Sequence, residues 1–140
     1  MHNFKPMAAL ALAAALALPG VHAAAATPAD IQKNLETAAR AATPGFGGFS
    51  AGRGQEFFSA THGNDWSCAS CHTAAPANHG KHVKTGKDIA PLAPAANPQR
   101  FTDAAKVEKW FKRNCNDVLG RACTAQEQGD VLAYLMSLAK

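Results

Sequence analysis

Five residues constrain this chain more than any others: Cys68-Ala69-Ser70-Cys71-His72. C-x-x-C-H is the attachment signature of c-type haem. Two thiols three positions apart can each add to a vinyl group at the porphyrin edge, and the imidazole that follows swings under the iron as proximal ligand. A thioredoxin-like dithiol would need a strand–helix setting that is absent here. Half a zinc site would need a second ligand pair at suitable spacing, and the sequence offers none. The motif predicts one covalent haem c on Cys68 and Cys71, with His72 on the iron.

The rest of the chain reads as helices joined by loops. Thr27 and Pro28 open a helix that runs to about Ala42, where Thr43-Pro44-Gly45 stops it. Residues 44–54 are glycine-rich but lack the GxGxxG order and follow no strand, so they lead into a helix rather than cradle a phosphate. Ser50 caps a second helix reaching about Ala60, with Phe57 and Phe58 as apolar anchors. Residues 73–100 are proline-rich and aperiodic, and so long a loop in a small domain usually has a task. Thr102 or Asp103 caps a third helix, AAKVEKWFKRNCNDVL, which stops near Gly120. Thr124 to Glu127 form a capping box. The helix behind it runs to the C-terminus with Val131, Leu132, Leu135 and Leu138 on one face. No segment alternates like a strand, so the fold class is all-α.

The 140 residues bound a single compact domain. Lys5, an apolar run from Met7 to Leu18, then Pro19 and Gly20 have the layout of a secretory signal, with cleavage after Ala23 or Ala26. That apolar run falls short of the roughly 20 residues that span a bilayer. The expected organisation is a signal peptide at 1–23, an N-terminal helix and Gly-rich linker at 24–49, and a haem domain at 50–140. Loss of Lys5 lowers 14 basic residues to 13 against 10 acidic ones, a net charge of +3. That is too weak and dispersed for a nucleic-acid binder. Nothing after the signal reads as transmembrane. Export through such a signal puts the protein in the periplasm, an oxidising compartment. Thioethers use Cys68 and Cys71, so Cys115 and Cys123 are expected to pair, closing a loop of about nine residues worth roughly 2.5 kcal/mol in the chain-entropy model.

The sixth position on the iron is less determined. Met136 is the one methionine left after cleavage, but between Leu135 and Leu138 it reads as core filler. His62, His79 and His82 are further candidates, the last two in a wet, lysine-containing loop. In the third helix, Val107, Trp110, Phe111 and Val118 form one apolar stripe at 100° per residue, and Asn114 falls within it. A buried amide needs a partner or costs about 1–3 kcal/mol. Asn114 could bond a haem propionate or a backbone group, or offer its carbonyl oxygen to iron.

The order SAGRGQEFF, CASCH, GDVLAYLMSL resembles class I cytochromes c. Gly54 and Phe58 match the small-plus-aromatic contact at which the first helix of that fold crosses the last, where Val131 and Tyr134 would answer. More narrowly, TGKDIAPLAPAANPQRFTD followed by KVEKWFKRNCNDVLGRACT is similar to the SHP-type monohaem cytochromes c, named for an oxygen-binding haem protein of a purple photosynthetic bacterium. The resemblance covers most of residues 50–140. It implies a class I cytochrome c-like fold, Asn114 as sixth ligand and a disulfide from Cys115 to Cys123. It further implies that the asparagine is bound in the ferric protein and released on reduction, leaving a ferrous iron open to O2 or NO. Electrons would come from a cytochrome partner, with a dihaem cytochrome c and a membrane cytochrome b as typical neighbours.

Around the iron, Trp66, Trp110 and Phe111 are expected as haem-pocket walls. Pro91 or Pro94, in PLAP, would supply the carbonyl that orients His72. Lys81, Lys84 and Lys87 could steer an acidic partner or simply be solvated. Two other functions compete: a low-spin electron carrier with a fixed His or Met136 ligand, and an enzyme of NO dioxygenase or peroxidase type. The sequence assigns no catalytic acid or base to the latter.

Overall fold

The computed structural model describes residues 25–139; the expected signal peptide lies almost wholly outside them. Five helices follow in order: α1 (Pro28–Ala42), α2 (Ala51–Ser59), α3 (Cys68–His72), α4 (Ala104–Leu119) and α5 (Ala125–Ser137). Two-residue strands β1 (Gly80–Lys81) and β2 (Asp88–Ile89) pair antiparallel inside the long loop. They break the expectation of a strandless chain without altering its class, because two residues are too few to show a period of two.

The helix starts follow their caps. Thr27 accepts from the Asp30 amide in a reciprocal capping box, and Ser50 accepts from the Arg53 amide. Asp103, rather than Thr102, caps α4 by accepting from the Lys106 amide at 3.0 Å. Gly120, at φ +70°, ends that helix in the left-handed region, where a side chain would be strained. Thr124 opens α5 with its capping box.

α5 is the centre of the molecule. α2 crosses it, and α1 packs along it through buried Ile31 and Ala39. A Cβ on Gly54 would run into the Asp130 carbonyl, so glycine there lets the two backbones meet. Phe58 then lies against Tyr134, ring centroids 5.6 Å apart. Phe58, Val131, Tyr134 and Leu135 form the core, with Cys68, Leu92, Phe101, Phe111 and Leu138 packed around it. Asp130 is buried beside them and fully engaged: it accepts from the Ser50 amide at 2.7 Å and from Arg53 Nε and Nη2 at 2.8 and 2.9 Å. This clamp joins the start of α2 to the middle of α5. Met136 is not core filler; it is 38% exposed, unlike the buried Val131, Leu132 and Leu135 of the same helix.

α4 is built differently. No other helix packs closely along it, and its strong amphipathic pattern buries only Cys115 and Val118. Its ties are Phe111 on the core, a hydrogen bond from Asn64 Nδ2 to the Val118 carbonyl at 2.9 Å, and a disulfide from Cys115 to Cys123. The Cα atoms across that bridge are 5.6 Å apart, well within disulfide range.

Candidate haem site

Cys68 and Cys71 are the free thiols among the described residues, three positions apart on α3. The five-residue helix is opened by the Ser67 amide donating to Ser70 Oγ at 3.0 Å. Glycine at 80 lets β1 lie against its far end, because a Cβ there would meet the Cys71 carbonyl oxygen. The chain leaves His72 through Thr73 at φ +63°, in a region that costs a β-branched residue about 1–3 kcal/mol. Thr73 Oγ1 offsets this locally, donating to the Ala75 carbonyl and accepting from the Ala75 amide.

Burial sets the chemistry of both ends of the motif. It pushes the Cys68 thiol up to about 11, so the sulfur stays protonated at neutral pH. Burial, assisted by the charge of Arg100, pushes the His72 imidazole down to about 4. The ring is therefore neutral and keeps a lone pair for a metal. The Phe58 ring lies 6.3 Å from it, centroid to centroid.

The proline-rich loop is tied back onto this motif. Pro76 is fully buried, and its carbonyl accepts from the amides of Leu92 and Ala93 at 2.8 and 3.1 Å. Either the Pro91 or the Pro94 carbonyl was expected to orient His72, and that of Pro91 is engaged elsewhere. It accepts from Asn97 Nδ2 at 3.3 Å and Arg100 Nε at 3.0 Å, which uses both its lone pairs. Pro94 is half-buried in the same turn. Trp66 is half-buried with Lys84 Nζ 4.6 Å over its ring. Trp110 is 48% exposed, with the Arg113 guanidinium 5.5 Å from its centroid.

The alternative sixth ligands have other engagements. His62 Nε2 bonds the Phe57 carbonyl at 2.9 Å, and His79 Nδ1 pairs with Asp88 at 2.8 Å. His82 Nδ1 accepts from the amides of Lys84 and Thr85. Met136 is partly exposed, at 38%. Asn114 is half-buried on α4 beside Cys115, between half-buried Phe111 and buried Val118. No hydrogen bond to a backbone group engages its amide among the described residues.

These residues fit a haem. The donor set is two thiols and a neutral imidazole on one short helix, and Cys68, Leu92, Phe101 and Phe111 pack on one core from four different segments. On α4, Val107 and Phe111 are half-buried and Trp110 is exposed, and no other helix packs closely along that helix. Zinc chemistry has no such support: among the described residues no three His, Cys, Asp or Glu side chains gather to hold a metal ion. Sequence reasoning missed Pro76, Gly80 and Arg100. Only the glycine carried a signal, as a small residue inside a loop that must approach another backbone.

Comparison with known proteins supports a haem cofactor. Residues 44–135 match the family described as "Domain of unknown function (DUF1924)". Cytochrome c'' of Methylophilus methylotrophus is 49% identical over 83 residues, which span 59% of this chain and 58% of that protein. The cytochrome c-type protein SHP of Cereibacter sphaeroides is 45% identical over 130 residues, covering 90% of this chain and 95% of its own. The solved structure of oxidised SHP, described as an oxygen-binding cytochrome c, superposes with TM-score 0.71 at 44% identity, covering 81% of this chain and 99% of that one. The solution structure of Methylophilus methylotrophus cytochrome c'', described as bearing on haem-ligand detachment, gives TM-score 0.70 at 40% identity over 81% and 94% of the two chains. The chain belongs to this DUF1924 family and is an SHP-type cytochrome c with a helical, class I-like fold.

Proposed function

We propose that this protein is an exported monohaem c-type cytochrome whose sixth ligand is exchangeable and leaves on reduction. Cys68 and Cys71 would hold the haem through thioethers, and His72 would bind the iron from one side. When bound, haem c supplies an iron that cycles between ferric and ferrous and can take a diatomic ligand.

Asn114 would occupy the other side through its amide oxygen. That oxygen is a neutral, hard donor, so it holds ferric iron better than ferrous and lets go when an electron arrives. The observation that carries this reading is the half-buried amide of Asn114, without a backbone partner, on the apolar stripe of a helix pinned by the adjacent disulfide. Two relatives support it, one described as oxygen-binding and the other in terms of haem-ligand detachment. O2 or NO would then bind the reduced protein, and a cytochrome partner, a dihaem cytochrome c by the family pattern, would deliver the electron. A periplasmic location follows from the signal-like N-terminus.

The test is absorption and magnetic circular dichroism of the oxidised and dithionite-reduced protein, without oxygen, in wild type and Asn114→Ala. A high-spin ferrous state that takes up NO, with a ferric spectrum altered by the substitution, is the expected result. A low-spin ferrous spectrum indifferent to Asn114 would instead mean a fixed ligand and an ordinary electron carrier.

A further inference from the structure

α4 carries the proposed iron ligand, yet no other helix packs closely along it. One of its few ties comes from outside the helices. Asn64 Nδ2 donates to the Val118 carbonyl at 2.9 Å, across 54 positions of sequence. That carbonyl lies in the last turn of α4, where a helix has no amide of its own to offer. No main-chain amide takes that place among the described residues. Asn64 therefore caps the end of α4 from another segment of the chain.

The segment that delivers Asn64 is itself held in place. The Asn64 amide donates to the Thr61 carbonyl at 2.9 Å, closing a turn through His62 and Gly63, both at positive φ. His62 Nε2 donates to the Phe57 carbonyl at 2.9 Å, and its ring lies 4.4 Å from that of Phe57, centroid to centroid. The turn thus rides on the end of α2, just ahead of Cys68. On α4, Val118 stands one helical turn beyond Asn114, on the same face.

We propose that Asn64 is a positioning residue for ligand exchange: by holding the Val118 carbonyl it keeps Asn114 beside the iron, and so sets how often the ferric site stands open. The inference rests on Asn114 as sixth ligand, the reading proposed above. A ligand released from a helix that cannot move regains little freedom and returns readily. Without the Asn64 bond, the end of α4 hangs on Phe111 and the disulfide, and release of Asn114 gains conformational entropy. One hydrogen bond of ordinary strength shifts such an equilibrium about fivefold.

Cyanide titration of the ferric holoprotein tests this in wild type, Asn64→Ala, Asn114→Ala and the double variant. Cyanide competes with Asn114 for the iron, so its apparent affinity scales with the fraction of open sites. Asn64→Ala is expected to raise that affinity about fivefold. In the Asn114→Ala background it is expected to change nothing, because no ligand is left to displace. Amide hydrogen exchange in the last turn of α4 is expected to quicken in Asn64→Ala. Unchanged cyanide affinity overturns the proposal even if exchange quickens, since the bond would then serve the helix end alone. An equal gain in both backgrounds also overturns it, marking a general opening of the pocket. Asn64 is exposed, so alanine leaves no buried void; should Asn64→Ala not fold, Asn64→Asp, of the same shape without the donor, is read in its place. Failure of the ligand reading looks different: Asn114→Ala alone would then leave the cyanide affinity as in wild type.

Discussion

Glycine at 54 sets how closely α2 and α5 approach, and the atom a side chain would meet there is the main-chain carbonyl of Asp130. Backbone cannot swing aside as the tip of a lysine can, so even alanine must push the helices apart. Overpacking of this kind costs about 1–3 kcal/mol. Gly54→Ala is therefore expected to lower the urea midpoint of unfolding, with the slope unchanged. A midpoint equal to wild type would show that the crossing has slack. The pairing of Gly54 with Phe58 was legible in the sequence, through the resemblance of SAGRGQEFF to a known first helix. The clamp on Asp130 was not, since an acid in the second turn of a helix reads as a solvated residue. Only the fold brings Arg53 and the Ser50 amide to it from about 80 positions away.

Helix ends were the most legible elements, because a cap is a local chemical event. Thr27, Ser50 and Thr124 accept from the amides three residues on, as their side chains predict. α3 was not legible as a helix: five residues show no period, and the haem motif is recognised by spacing instead. The start of α5 gives a prediction in pH. Glu127 bonds Arg121 at 2.7 and 2.8 Å and accepts from the Thr124 amide at 2.8 Å. The Arg121 hydrogen bonds, outweighing a smaller opposing effect of burial, hold its carboxyl below the ordinary range. A carboxyl lowered in the folded state stabilises above its unfolded pKa of about 4.3, and that contribution is lost as pH falls through the folded value. Glu127→Gln removes it at neutral pH. The melting temperature of wild type should exceed that of the variant at pH 7, and the gap should close between pH 5 and pH 3. A gap that stays constant over that range would show that Arg121 and Glu127 make no pH-dependent contribution.

Across the whole molecule, two modes of assembly meet at the site. α1 and α2 both pack directly on α5, so half of the fold is held by close helix contacts and a buried core. α4 instead hangs on that core through Phe111, the Asn64 bond to the Val118 carbonyl and the bridge from Cys115 to Cys123. The proposed iron ligand, Asn114, is the residue before the bridged cysteine. A weak ligand stays on the iron only if little conformational freedom is regained by letting go, so the anchor of α4 should govern ferric coordination. Cys123→Ala frees the C-terminal end of α4 and removes roughly 2.5 kcal/mol of loop closure in the chain-entropy model. The substitution lies away from α3, so haem attachment should survive. The high-spin fraction of the ferric protein is expected to rise, read by electron paramagnetic resonance and the charge-transfer absorption of ferric haem. Ferrous spectra should be unchanged if, as proposed, reduction releases Asn114 in the wild type. If stability falls while the ferric spectrum stays as in wild type, the bridge serves the fold alone and the ligand is held by contacts along α4 itself.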